Sequence, residues 1–264
     1  MGSSAMNGWN WVTPDEYVAG ILAREAVPVG IWSPLWTVQN ELRPHIEQWA
    51  NRFLVAMHPS GSCMKGTCNK SGNDIDLFIS LSPDTPESLS EIHEKLCTFM
   101  TGKGFKPRRQ NVSVNITVLG HSVDLVPGKL QNLLSADHSL YRRKADTWTK
   151  TNVQTHIEAV KASKRLSEIR IIKLWRDQRK LEFPSFYLEL SVMRALEGEA
   201  GYSVAANVQK VFEYLADSFV RARITDPANT NNIISDDLTA AEKFKVRLAA
   251  KAALEATNWR DILI

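Results

Sequence analysis

The sequence predicts an α+β protein of two lobes, a mixed β-sheet lobe with helices followed by an all-helical lobe. Three observations carry this expectation. Period-two apolar alternation is confined to a segment from about 35 to about 130 of the 264-residue chain. Beyond it the spacing is helical over residues 151–180, 185–198, 203–221 and 237–256. Within the first segment, Ser60 to Asp76 joins a Gly/Ser turn to two carboxylates, and the apolar run Leu77-Phe78-Ile79 follows at once.

Taken in order, Leu35, Val38, Leu42, Ile46 and Trp49 predict a helix over 35–52, with Pro44 forcing a kink or a fresh start. Phe53 to Met57 reads as a short strand leading into the Gly61-Ser62 turn, and Asp74 to Leu81 as a second strand. Pro83 to Thr101 is a predicted helix, with Pro86 in its first turn and Gly102 just past its end. Asn111 to Val118 alternates strictly, Leu119 to Ser122 turns, and Val123 to Pro127 returns as a strand. These elements divide the chain into an extension over 1–34 that packs on the lobes, a sheet lobe over 35–145 and a helical lobe over 146–264.

Composition narrows the class. Apolar residues are 44% of the chain and charged residues 23%, as in an ordinary globular protein. No apolar run approaches the roughly 18 residues of a membrane span, and no secretion signal opens the chain. Cys63, Cys68 and Cys97 are too few for a disulfide framework, so reduced thiols and a cytoplasmic location are expected. His93 and Cys97 at i, i+4 could join the other two in a zinc site, but the C-x4-C spacing argues against it. Trp9, Trp11, Trp32 and Trp36 suit core or docking positions better than base stacking. The net charge is +3, yet residues 103–180 hold seventeen Lys or Arg against six Asp or Glu. That field attracts polyanions, nucleoside triphosphates or RNA. Arg142-Arg143-Lys144 is a solvated cluster able to bind an RNA backbone.

Asp74 and Asp76, two apart on a strand, face the same way, while Ile75, Leu77 and Ile79 face a core. Adjacent carboxylates raise each other's pKa unless a cation separates them, and hard oxygen donors favour Mg²⁺ or Mn²⁺. Gly61 and Ser62 offer backbone N–H groups and a hydroxyl to phosphate. Asp124, on the returning strand, supplies a third carboxylate. Three such groups on adjacent strands suit two divalent ions for phosphoryl or nucleotidyl transfer.

Gly61-Ser62, Lys65-Gly66-Thr67, Asp74-Ile75-Asp76-Leu77 and Val123-Asp124-Leu125-Val126-Pro127 together resemble the polymerase-β-like nucleotidyltransferase superfamily, with the best match to bacterial cyclic-oligonucleotide synthases (CD-NTases) and their oligoadenylate synthase relatives. Arg109 to Val114 and Asp226 to Asn232 strengthen the likeness. The resemblance implies a bilobed nucleotidyltransferase fold. It implies Asp74, Asp76 and Asp124 as catalytic and metal-holding residues, with Gly61, Ser62, Lys65, Lys173, Ser185, Phe186 and Asp226 binding nucleotide. Ser185 would touch phosphate and Phe186 the base, with Tyr187 as the neighbouring alternative. Against these roles, Lys173 could be a solvated basic residue, Ser185 a helix cap and Phe186 a core aromatic. Asp226-Pro227 could be a turn opening the last helix, with Asn229 as its cap.

The expected reaction is attack of a ribose hydroxyl on an NTP α-phosphate, with ATP the first candidate and pyrophosphate leaving. A second nucleotide as acceptor would give a cyclic second messenger of antiphage defence. The alternatives are an RNA-directed enzyme (tRNA terminal addition or oligoadenylate synthesis), a toxin that nucleotidylates tRNA or protein, and a non-catalytic nucleotide- or RNA-binding protein. Base choice, linkage and oligomeric state are left open by the sequence.

Overall fold

A computed structural model of the chain describes residues 12–28, 30, 33–72, 74–201 and 203–264. Trp9, Trp11 and Trp32 lie outside the described residues. Trp36 lies within them and is 38% exposed.

Helix α1 (Pro14–Arg24) opens on a capping box made by Thr13 and Glu16. Its Val18 and Ile21 join the helical-lobe core. Helix α2 (Pro34–Ala50) then runs unbroken through Pro44, so the expected fresh start does not occur. Its Leu35, Val38, Leu42 and Ile46 are buried in one stripe, and that packing outweighs the one backbone bond that proline removes.

Strand β1 (Leu54–Pro59) pairs antiparallel with β2 (Ile75–Leu81), and the short helix α3 (Gly61–Lys65) lies between them in sequence. Helix α4 (Leu89–Gly102) starts six residues later than Pro83, because Ser88 and Glu91 form its capping box and leave Pro86 in the preceding turn. After β3 (Arg108–Arg109) come β4 (Val114–Val118) and β5 (His121–Leu130). The sequence reading missed the hairpin of β6 (His138–Arg142) and β7 (Thr147–Thr151). It extends the sheet past position 145, where the lobe boundary was expected. Its polar strands, Thr147-Trp148-Thr149-Lys150-Thr151 above all, carry little apolar alternation to reveal them.

The sheet order is β1-β2-β5-β4-β3, with β6 on the far half of β5 and β7 beyond it. Among the described strands only β2 and β5 pair in parallel; the other pairs are antiparallel. Ile75, Leu77, Ile79, Val123 and Leu125 point to one face and form a core with α2 and α4. The alternating residues, Asp76 and Asp124 among them, therefore point to the opposite face.

The predicted helix over 151–180 is two helices, α5 (Val153–Ala162) and α6 (Leu166–Gln178), separated at Lys164, which has φ +56°. They are followed by α7 (Ser185–Ala195) and α8 (Val204–Asp217). The Asp226 segment opens no helix. It forms the hairpin of β8 (Thr225–Asp226) and β9 (Asn229–Ile233), and α9 (Ala240–Glu255) begins later on a Thr239 capping box. The last element is α10 (Trp259–Ile262). Trp175, Tyr187, Phe212 and Phe219 are fully buried in this second core, each contributing on the order of 2–3 kcal/mol through burial. No described helix is long and apolar enough to cross a membrane.

Candidate active site

The register of β2 and β5 decides where the carboxylates sit. Asp76 stands directly opposite Asp124 across the parallel pair, and Asn115 of β4 stands opposite Asp124 on its other side. Asp74 immediately precedes β2 and is exposed. Asn115 Nδ2 donates to Asp124 Oδ1 at 2.8 Å, and Gln110 Nε2 donates to the same oxygen at 3.2 Å. Neither amide was singled out from sequence, although both belong to or flank the alternating strand.

Helix α3 is set against these carboxylates. Ser60 N donates to the carbonyl of Asp76 at 2.8 Å, and Gly61 turns with φ +63°. A Cβ at Gly61 would lie 1.7 Å from Asp76 Oδ2, so only glycine lets the turn pass over the carboxylate. The first turn of such a helix has N–H groups without intrahelical partners. Gly61 and Ser62, both half-buried, thus present hydrogen-bond donors beside the metal-type donor set.

Behind α3 lies a buried ionic network that the sequence reading did not assemble. Glu189 of α7 is fully buried, with Lys65 Nζ at 2.8 Å from one oxygen and Lys173 Nζ at 2.6 Å from the other. Thr67 Oγ1 donates to Glu189 Oε1 at 2.9 Å and accepts from Lys173 Nζ at 2.9 Å. Burial alone would push the Glu189 carboxyl up, but the two ammonium groups outweigh it and hold it down to about 2. Burial pushes the Lys173 ammonium down, opposed by Glu189. Lys173 is therefore not the solvated residue that was one alternative. A glutamate inside the apolar run Tyr187-Leu188-Glu189-Leu190 was the available signal, since a buried charge requires a partner.

The ring of Phe186 is half-buried, with Lys65 Nζ 4.4 Å from its centroid and the His156 ring tilted against it with centroids 4.2 Å apart. It packs against the edge of the helical-lobe core rather than within it. Tyr187 lies within that core: it is fully buried between Phe183 and Phe219, which removes it as a base-stacking alternative. A one-residue step along a helix turns the side chain by roughly 100°, and this carries Tyr187 to the inner face. Ser185 is exposed at the first position of α7, with Pro184 as the cap, and Ser185 Oγ accepts from Arg176 at 2.9 Å.

Asp226 lines the cleft, but its oxygens are engaged. It accepts from His156 Nε2 at 2.7 Å, from Ala228 N at 2.8 Å and from Asn232 Nδ2 at 3.2 Å. Asp226, not Asn229, thus makes the local Asx turn. Phe186, His156, Asp226, Lys150 and Asn232 border a recess of about 580 Å³.

The three carboxylates feel one another. Burial first, then Asp124, raises the Asp76 carboxyl to about 6, with Lys65 opposing; burial likewise raises Asp124. Among the described residues no three His, Cys, Asp or Glu groups are gathered closely enough to hold a metal as they stand. Unscreened carboxylates repel, and Asp74 lies just before the start of the strand. As a donor set, three hard oxygens with one disfavoured as an anion fit a divalent cation.

No family model matches the chain. The cyclic AMP-AMP-AMP synthase of Escherichia coli (strain MS 115-1) is 29% identical over 224 residues, covering 75% of this chain and 70% of that protein. The solved structure of E. coli MS115-1 CdnC with ATP matches at a TM-score of 0.74 and 22% identity, over 94% of this chain and 96% of that one. Bradyrhizobium diazoefficiens CD-NTase CdnG in complex with GTP matches at 0.76 and 12% identity, over 95% of each chain. The fold is that of the polymerase-β-like nucleotidyltransferases. The proteins this chain resembles include CD-NTase cyclic-oligonucleotide synthases. Nucleotidyltransferases of this type generally use divalent metal ions.

Removing one member of the buried network leaves charge uncompensated. Glu189→Ala is expected to cost about 3–5 kcal/mol in urea unfolding, and a loss under about 1 kcal/mol would contradict the network. Asp76 gives a second prediction. Its raised carboxyl means that the metal-free fold binds a proton the unfolded chain releases, so stability falls as pH rises from about 4 to about 6. Asp76→Asn should therefore melt higher than wild type at pH 7 without metal. The gain is on the order of 1–2 kcal/mol, at about 2–4 °C per kcal/mol, and disappears below pH 4. An equal or lower melting temperature at pH 7 would contradict it.

Proposed function

We propose that the chain is a divalent-metal-dependent nucleotidyltransferase that joins NTP-derived nucleotides, ATP first among them, into a cyclic oligonucleotide with release of pyrophosphate. The observation that carries this is the pairing of Asp76 with Asp124 on the sheet face that receives α3 and the Lys65–Phe186 contact. The kinship with a cyclic AMP-AMP-AMP synthase supports adenine nucleotides and a cyclic product. Its place of work is the cytoplasm, where NTPs are abundant.

Asp74, Asp76 and Asp124 would hold two Mg²⁺ or Mn²⁺ ions, which supply activation of the attacking ribose hydroxyl and neutralisation of the departing pyrophosphate. The residues do the positioning. Asp124, steered by Asn115 and Gln110, orients the attacking hydroxyl. The N–H groups at Gly61 and Ser62, with Ser62 Oγ, receive the triphosphate beside Asp76. Lys65 and Lys173 set positive charge behind it, with Lys65 in reach through a small movement off Glu189. Ser185 is held by Arg176 at the mouth of α7, where the pair can meet phosphate. Phe186 offers its ring to a base once Lys65 or His156 gives way. Asp226 organises this wall by fixing His156 and the β8–β9 turn. Rate enhancement then comes from alignment and fixed charge.

Incubation of the purified protein with labelled NTPs and Mg²⁺ or Mn²⁺, with and without RNA, tests the reading. A phosphatase-resistant small product is expected, and Asp74→Ala with Asp76→Ala should abolish it while circular dichroism stays unchanged. Unchanged turnover in that variant would sink the metal assignment, and label on RNA would move the acceptor to an RNA end.

A further inference from the structure

Beside the cleft lies a second recess that the proposed reaction does not use. It measures about 510 Å³ and forms where the β6–β7 hairpin of the sheet meets the β8–β9 hairpin of the helical lobe. Asn229 Nδ2 ties the two hairpins by donating to the carbonyl of Lys150 at 3.4 Å. The lining holds Trp148, Gln131 and Asn229, Asn231 and Asn232, and no carboxylate. Trp148 is 57% exposed although indole burial is strongly favourable. Asn231 makes no hydrogen bond among the described residues, so both its amide donor and its oxygen are open. Arg142 and Lys150 also border it, each paired with a half-exposed carboxylate, Asp237 at 3.3 Å and Asp137 at 3.2 Å. Those pairs are exchangeable with a phosphodiester.

An open aromatic face takes a base by stacking, and an asparagine amide matches the N6/N7 edge of adenine. Arg142, Thr149, Lys150 and Asn232 border both this recess and the one bordered by Phe186 and His156, so the two lie side by side. We propose that Trp148 and Asn231 form a further nucleotide subsite, which holds an adenine of a single strand leaving the reaction cleft. This rests on the nucleotidyltransferase reading for the strand's presence. The strand is either the enzyme's own linear intermediate or a bound RNA end; the same chemistry recognises both.

Calorimetric titration with the dinucleotide ApA isolates the subsite, because ApA has no triphosphate and no turnover follows. ApA is expected to bind the wild-type chain, at least ~10-fold more weakly to Trp148→Ala and Asn231→Ala, and with near wild-type affinity to Trp148→Phe, which keeps a stacking ring. Both altered side chains are exposed, so the fold is not at stake. No binding to wild type, or equal binding to all four proteins, overturns the subsite. Asp76→Asn should keep ApA affinity while losing turnover, so failure of the metal assignment leaves this result standing. Two turnover arms then identify the strand. Accumulation of linear products by Trp148→Ala from ATP alone assigns it to the enzyme's intermediate, and weaker labelling of added oligo(A) assigns it to an RNA end. Unchanged products in both arms overturn its role in holding a strand.

Discussion

One fully buried carboxylate joins the two lobes. Glu189 belongs to the helical lobe, and it binds Lys65 from the sheet lobe and Lys173 from its own. Three charges removed from water are costly unless each is paired, and here two cations share one anion with Thr67 completing the bonds. The net positive remainder sits behind α3, close enough to Asp76 to oppose its protonation. The same contact that docks the lobes therefore sets the charge of the site between them. Lys65 also lies against Phe186, so the network reaches the wall where a base would stack.

The second constraint is steric. The parallel register of β2 and β5 brings two carboxylates side by side, and α3 must then pass over one of them. Gly61 makes that passage possible, since any side chain there would occupy the space of Asp76 Oδ2. A strand pair, a glycine and a short helix thus place anionic donors and N–H donors within one small volume. This separation of opposite functions, carboxylates for cations and N–H groups for phosphate, is what transfer of a nucleotidyl group requires.

Much of this was legible in the sequence because it is local. The Asp74-Ile75-Asp76 alternation reports the face of one strand, and a partner at Asp124 follows from the next apolar alternation. The Gly61-Ser62 turn is equally local. What stayed hidden depends on packing between distant segments. Glu189 meets Lys65 across 124 positions of sequence, and nothing in either neighbourhood announces the other. The β6–β7 hairpin went unseen because its strands, Thr147 to Thr151 above all, carry little apolar alternation. Tyr187 and Phe186 were separable only once the helix phase was known, since adjacent helical residues differ in face more than in composition. His156 escaped notice because its partner Asp226 lies in a hairpin seventy residues on.

The account stands on the claim that the β2 and β5 carboxylates hold the metal and that the triphosphate meets α3. Anomalous diffraction from crystals grown with Mn²⁺ and a non-hydrolysable ATP analogue tests it directly. The account predicts manganese peaks among Asp74, Asp76 and Asp124, with the triphosphate against Gly61 and Ser62 and within reach of Lys65. Manganese bound elsewhere, or a triphosphate seated away from α3, would contradict it.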